Sequence, residues 1–199
     1  DVAKTPEDNT ILAIGDVTGK GVPAALLMAN LQSMLHVLLP IDISLAEATG
    51  RINNLIYQNT PPDKFITFFW AIYMSTHKVL RYVNAGHNPP LLLRNHSDEF
   101  EELSKGGLLL GAVETMMPYE QTEVQLDPGD LLVCYTDGVN EAMNENQEEF
   151  GEERIKECIL ENRGKSSREV ISAIIHRVRE FTNQNLFDDL TLLVLKAND

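Results

Sequence analysis

Apolar residues follow two different rhythms along this chain. From residue 24 to 38, Ala24, Leu27, Met28, Leu31, Met34, Leu35 and Leu38 recur at helical spacing, which predicts a helix with one face in a core. Pro23 suits its first turn, and the helix should end near Pro40. A second helix is expected from Ser44, where Ser44-Leu45-Ala46-Glu47 has the form of a capping box. Its apolar stripe is Leu45, Ala48, Ile52, Leu55 and Ile56. The pattern turns helical again over residues 151–162 and 166–182, the latter opened by Ser166-Ser167-Arg168-Glu169, another capping-box pattern.

Elsewhere the runs are short and rich in Val, Ile, Leu and aromatics, which predicts strands. Residues 9–16 form one, and 65–74 with 79–84 read as a hairpin around a turn at 75–78. Further strands are expected at 91–94, 100–103, 119–126 and 189–196. Asp127-Pro128-Gly129-Asp130 is a turn signal leading into another strand that ends at Asp137. Strand, two helices, a series of strands, two helices, strand: this order favours an α+β layered domain over alternating βαβ units.

Three strand-like runs meet aspartate at one end: Ile11-Leu12-Ala13-Ile14-Gly15-Asp16, Leu131-Leu132-Val133-Cys134-Tyr135-Thr136-Asp137, and Asp188-Asp189 before Leu190-Thr191-Leu192-Leu193-Val194-Leu195. A carboxylate at the tip of a buried strand is costly unless paired or bound to a metal. Carboxylates brought together repel, and a divalent cation removes the repulsion. All-oxygen ligands select a hard ion such as Mg²⁺ or Mn²⁺.

At 199 residues and 43% hydrophobic, the chain fits one domain, or at most two small ones. Its net charge of −14 argues against nucleic acid or anionic membrane as the main partner, since both need a basic surface. The acidic stretches at 98–102 and 145–153 read as solvated surface. Cys134 and Cys158 form no CxxC pair, and read as small buried hydrophobes in a reducing compartment. No segment is apolar enough to span a membrane and no signal peptide is recognised, so a cytoplasmic location is expected. A start at Asp1 without Met leads us to expect a piece excised from a longer regulatory protein.

Other chemistries find little support. Gly15-Asp16-Val17-Thr18-Gly19-Lys20-Gly21 has three residues, not four, before its Gly-Lys pair and lacks the following Ser or Thr, so it is no P-loop. HExxH and GxSxG are absent. His36, His77, His96 and His176 show no metal-binding cluster, while His87 lies in the turn Asn84-Ala85-Gly86-His87-Asn88-Pro89-Pro90.

Taken together, four segments resemble the bacterial PPM-type (type 2C) protein phosphatases of the SpoIIE/RsbU group. They are Ile14-Gly15-Asp16-Val17-Thr18-Gly19-Lys20-Gly21-Val22-Pro23-Ala24-Ala25-Leu26, Tyr82-Val83-Asn84-Ala85-Gly86-His87-Asn88-Pro89-Pro90, Tyr135-Thr136-Asp137-Gly138 and Asp188-Asp189-Leu190-Thr191-Leu192-Leu193, in the family's order. The resemblance implies an α-β-β-α sandwich of two mainly antiparallel sheets flanked by helix pairs, formed by a single domain over residues 1–199. It implies a site for two Mn²⁺ or Mg²⁺ ions, with Asp16 as bridging carboxylate, Val17 giving its backbone carbonyl, and Asp137 and Asp188 as further ligands. Asp189 is either a neighbouring ligand or a surface residue. The expected reaction is hydrolysis of phosphoserine or phosphothreonine: two ions roughly 3.5–4 Å apart bind phosphoryl oxygens and acidify a water, so no protein nucleophile is needed.

Two departures stand out. The family carries a Gly-Gly-Asp-Tyr-Tyr-Asp-like stretch whose second Asp corresponds to Asp1, which places the first, metal-binding one ahead of it, so weak activity is expected of these residues alone. Thr18 stands where eukaryotic relatives have a His thought to be the general acid. Lys20, His87 and Asn88 either orient the phosphorylated partner or are plain surface and turn residues. The resemblance further implies a phosphorylated STAS-domain anti-sigma antagonist as substrate and an upstream sensor or receiver domain. The helices at 23–39 and 44–58 follow directly on the metal turn, so an upstream domain pressing on them is expected to gate activity by moving Asp16 and Val17; a homodimer is a further partner to test. The alternative is a catalytically impaired phosphatase fold that docks a signalling partner.

Overall fold

The computed structural model describes residues 1–5, 8–39, 41, 43–114, 118–186 and 188–197. Pro40, the expected helix stop, lies outside these. In chain order the elements are β1 (Val2–Lys4), β2 (Thr10–Val17), α1 (Val22–Leu38), α2 (Leu45–Asn59), β3 (Ile66–Met74), β4 (Val79–Ala85), β5 (Leu91–Leu93), β6 (Phe100–Glu102), β7 (Gly106–Gly107), β8 (Thr122–Gln125), β9 (Leu131–Tyr135), α3 (Asp137–Asn140), α4 (Gly151–Asn162), α5 (Ser167–Phe181) and β10 (Leu192–Lys196). They form two compact units, Asp1–His87 with Ser104–Gln125, and Asn88–Leu103 with Leu126–Asp199.

The first unit is a six-stranded sheet in the order β1-β2-β3-β4-β7, with β8 also pairing β4. Apart from the short parallel contact of β4 with β7, its named strands pair antiparallel, and Phe68 of β3 makes an isolated parallel bridge to Gly86. At its β1 edge Val2 pairs with Leu12 and Ala3 with Ile11. The ladder continues to Asp1, whose amino group donates to the Ala13 carbonyl at 2.7 Å while its own carbonyl accepts from the Ala13 N–H at 2.9 Å.

Leu27, Leu31 and Leu35 of α1 and Leu45, Ala48, Ile52 and Ile56 of α2 form one buried cluster with Ala13, Val17, Phe68, Trp70 and Val83 of the sheet. The Trp70 indole N–H donates to the Thr49 hydroxyl at 2.9 Å, giving a large buried ring the polar partner it needs. Leu55, expected in the α2 stripe, is instead 44% exposed: Ile52 and Ile56, one turn apart, take the sheet-facing positions. The capping box at Ser44 also forms only in part. The Ser44 hydroxyl accepts from the Glu47 N–H, but the Glu47 carboxylate pairs with Arg51 at 2.7 Å.

The second unit is an antiparallel sheet in the order β10-β9-β5-β6. Ile155, Cys158 and Ile159 of α4 and Val170, Ile174 and Val178 of α5 pack with Leu91, Leu93, Leu131, Val133 and Tyr135. The capping box of α5 is complete, with Ser166 and Glu169 satisfying each other's backbone N–H groups. The 127–130 turn is locked by Asp130, a buried carboxylate that accepts from Arg94 at 2.9 Å and from the backbone N–H groups of Asn95 and Asp127 at 2.8 and 3.0 Å. The thiols of Cys134 and Cys158 are free and buried, and burial raises both above the ordinary thiol value. No described helix is long and apolar enough to cross a membrane.

β1, β7 and α3 escape the sequence pattern. β10 begins at Leu192, so Asp188 and Asp189 lie in the segment leading to it and not at its tip.

Candidate metal centre

In the first unit, β2 carries Asp16 at its end, directly opposite Thr67 of β3. Asp16 is exposed and the following Val17 buried. The turn after β2 is fixed by Thr18: its N–H donates to the Phe65 carbonyl at 3.1 Å and its hydroxyl accepts from the Phe65 N–H at 3.0 Å. Thr18 thus holds the turn onto the start of β3. Lys20 is exposed.

His87 is buried, and its Nδ1 lies 2.9 Å from the Thr67 hydroxyl. The Asn84 side chain clasps the His87 backbone, accepting from its N–H at 2.8 Å and donating to its carbonyl at 3.1 Å. His87 is therefore one residue removed from Asp16, through the threonine opposite it. Sequence reasoning missed Thr67, whose position becomes visible only in the strand register.

In the second unit, β9 passes through Thr136 into the short helix α3, with Asp137 half-buried in its first turn. The Thr136 N–H donates to the Thr191 carbonyl at 3.1 Å, and the Thr191 N–H donates to the Thr136 hydroxyl at 3.2 Å. This two-way tie holds the start of α3 beside the segment carrying Asp188 and Asp189. Gly138 allows the close approach: a Cβ there would stand 2.4 Å from the Asp189 carbonyl oxygen. Asp188 turns back to accept from the Asp189 N–H at 3.0 Å. Asn88 bonds to Asn140 of α3 at 3.0 Å, and so braces the same helix.

Glu141, one turn after Asp137, is a further carboxylate that sequence reasoning missed. Partial desolvation pushes its carboxyl above the ordinary range, and the charges of Asp137, Glu149 and Asp188 push the same way. Glu141 and Asp188 also line a cavity of about 200 Å³ together with Gly138, Ala142, Met143 and Leu186.

The premise that strand-end carboxylates are buried needs correction. Asp16, Asp188 and Asp189 are exposed and Asp137 is half-buried, so the cost of burial is not what marks them. Among the described residues no three His, Cys, Asp or Glu side chains already converge on one point. The donor chemistry nevertheless fits a hard divalent cation: oxygen ligands of one sign, with no cationic side chain between Asp137 and Glu153. Asp137 and Asp188 are the candidates to hold it in the second unit. Asp16 and the Val17 carbonyl are those of the first.

Comparison with known proteins points the same way. The chain is 32% identical over 186 residues to the phosphoserine phosphatase RsbU of Bacillus subtilis (strain 168), covering 93% of this chain and 55% of RsbU. It thus spans about half the length of that relative. A structure of the PP2C phosphatase domain and a fragment of the regulatory domain of SpoIIE, from Bacillus subtilis, superposes with a TM-score of 0.81 at 20% identity, over 98% of this chain and 57% of that one. The catalytic domain of the serine/threonine protein phosphatase PstP, in complex with two manganese ions, gives a TM-score of 0.68 at 16% identity, over 100% of this chain and 91% of that one. The expected α+β class, with helix-backed sheets, is therefore the fold of the PP2C phosphatase domain. The aspartate turns of both units lie within residues 6–198, which match the stage II sporulation protein E (SpoIIE) family, and the chain belongs to that family.

Proposed function

We propose that this domain is a metal-dependent phosphoserine/phosphothreonine protein phosphatase. The observation that carries the reading is the pinning of Asp137 beside the Asp188 segment by the Thr136–Thr191 tie and the Gly138 contact. Such positioning sets Asp137 and Asp188 on neighbouring segments, and the charges of both reach Glu141.

The proposed ligands are Asp16, the Val17 carbonyl, Asp137 and Asp188. Asp189 is left to its backbone contact with Gly138. Two bound Mn²⁺ or Mg²⁺ ions would neutralise phosphoryl charge and make a coordinated water acidic enough to serve as nucleophile at neutral pH. The protein's own part is positional. The β2–β3 ladder and the Thr18 clamp hold Asp16, while α3 and its ties hold Asp137 and Asp188. The chain of Thr67, His87 and Asn84 stiffens the strand ends behind Asp16. Lys20, exposed in the Asp16 turn, is assigned to orienting the phosphoprotein.

The substrate we propose is a phosphorylated STAS-domain anti-sigma antagonist, with an upstream regulatory domain controlling access in the cytoplasm. The likeness to RsbU and to the regulated SpoIIE phosphatase supports this assignment.

The test is hydrolysis of p-nitrophenyl phosphate and of a phosphoserine protein by the full-length protein. We expect turnover with Mn²⁺, its loss with EDTA, and a collapse of kcat in Asp137→Ala. Metal-independent turnover, or full activity in that variant, would overturn the assignment. Retained Mn²⁺ binding without any turnover would instead indicate a docking module.

A further inference from the structure

The cavity beside Asp188 has two kinds of wall. Ala142, Met143 and Leu186 give it an apolar side, and Glu141 and Asp188 an acidic one. Met143 and Leu186 are 41% and 37% exposed, so the apolar side opens to solvent.

The wall carrying Met143 is preformed. Met143 bridges to Glu149, and the Phe150 N–H donates to the Ala142 carbonyl at 2.8 Å. The Asn144 side chain closes the turn between them, accepting from the N–H groups of Asn146 and Glu148 at 2.9 and 3.0 Å. Asn183 braces the loop from α5's end through Glu145 at 2.8 Å. A wall fixed in advance loses little entropy when something docks on it.

Its occupant must satisfy both walls. An apolar side chain would leave Glu141 unanswered, and a compact ammonium ion would leave the apolar wall wet. Lysine and arginine have an aliphatic stem and a cationic head, and can lay the one along apolar surface while the other meets a carboxylate. From Asp137 to Glu153 the chain carries no lysine or arginine, and Arg154 turns its guanidinium to the Glu149 and Phe150 carbonyls, so Glu141 is left for an incoming cation.

We propose that this cavity is a specificity pocket for a lysine or arginine close to the phosphoserine of the protein substrate, its stem against Met143 and Leu186 and its head at Glu141. The inference rests on the phosphatase reading above. It adds which phosphoproteins are preferred: those with a basic residue flanking the phosphate.

The test uses the full-length, Mn²⁺-loaded protein and phosphoserine peptides that differ at one flanking position, scanned from three residues before to three after. Lysine, norleucine and glutamate are compared there, with p-nitrophenyl phosphate as a substrate too small to reach the pocket. At one position lysine should exceed norleucine in kcat/KM by about fivefold, the scale of a partly exposed ion pair, and norleucine should exceed glutamate. Glu141→Gln should erase the lysine-over-norleucine ratio while keeping norleucine over glutamate. Met143→Ala should lower the lysine and norleucine peptides together against p-nitrophenyl phosphate. In methyl NMR, the Met143 signal should shift on adding the lysine peptide. Turnover of all peptides without a lysine preference, or an unchanged ratio in Glu141→Gln, overturns the pocket alone. No turnover of any peptide or of p-nitrophenyl phosphate overturns the phosphatase reading and the pocket with it.

Discussion

A single hydrogen separates Gly138 from a collision. A methyl group in its place would stand 2.4 Å from the Asp189 carbonyl oxygen, closer than real carbon–oxygen contacts allow, so Gly138→Ala must push α3 away from the 188–189 segment. Because Asp137 and Asp188 ride on those two segments, we expect a loss of Mn²⁺ affinity of about tenfold or more, in line with the sensitivity of metal sites to supporting contacts. Calorimetric titration checks this. Unchanged affinity would mean that the two aspartates do not share an ion. Lys20 calls for a different readout. Lys20→Ala should raise KM for the phosphoprotein more than it lowers kcat, the sign of lost uniform binding, whereas kinetics identical to wild type would return Lys20 to ordinary surface charge. At this scale the sequence showed Asp16 and Asp137 as carboxylates at the ends of apolar runs, because an abrupt change from apolar to charged is written in consecutive residues. Thr67 and Glu141 were not legible: a threonine within a strand and a glutamate in an acidic stretch look like many others until pairing and folding bring them beside the aspartates.

Among the elements, the helices were the most readable, because caps and apolar spacing are written in consecutive residues. Ser166 and Glu169 fulfilled the pattern completely, whereas Glu47 found Arg51 four residues on, a competing partner no capping rule takes into account. β7 is two glycines and α3 a single turn. Neither is long enough to display a period, so tertiary pairing alone defines them. The α5 cap gives a pH prediction. The Ser166 hydroxyl, then the Ser166 N–H, hold the Glu169 carboxyl below its ordinary value of 4.5. A carboxyl so depressed adds stability above its unfolded value and loses it as pH falls through the lower folded one. Ser166→Ala should therefore flatten the acid limb of the stability profile below pH 4.5 and cost about 1 kcal/mol at neutral pH, measured by denaturant melts across that range. A helix-borne switch also needs careful variants. Leu31 and Leu35 are buried, so their alanine variants should lose about 2–5 kcal/mol and blur regulation with unfolding. Leu31→Met, which conserves volume, should change the activation ratio of the full-length protein while leaving its melting midpoint nearly in place.

For the molecule as a whole, the layered α+β class followed from the order of elements, and the family from four spaced segments. Exposure of the aspartates did not follow, because a hydrophobic run signals a buried strand but says nothing of how far its end projects into water. That exposure shapes the stability expected without metal. Carboxylates held together repel, so in EDTA Asp188→Asn should melt at or above the wild-type temperature. Wild type should gain stability as Mn²⁺ is raised, since an ion that binds the native state stabilises it by mass action, and Asp188→Asn should gain much less. Thermal melts over a Mn²⁺ series make the comparison, and an equal gain in both proteins would remove Asp188 from the site.

The edge pairing of β1 sets a rule for anyone who lengthens this chain. Partners across the β1–β2 ladder keep a constant sum, as Val2 with Leu12 and Ala3 with Ile11 show, and the bonds of Asp1 to Ala13 obey it. If the ladder runs on, the third residue ahead of Asp1 stands directly opposite Asp16, where side chains share a face with Cβ atoms about 4.5–5.5 Å apart. This is also the spacing between the two aspartates of the family's Gly-Gly-Asp-Tyr-Tyr-Asp-like stretch. Whatever is fused there, whether a tag, a protease scar or a native segment, becomes a neighbour of the candidate metal ligand. Aspartate at that place should tighten Mn²⁺ binding, and sliding it by a single residue should turn it to the opposite face of the sheet and forfeit the gain.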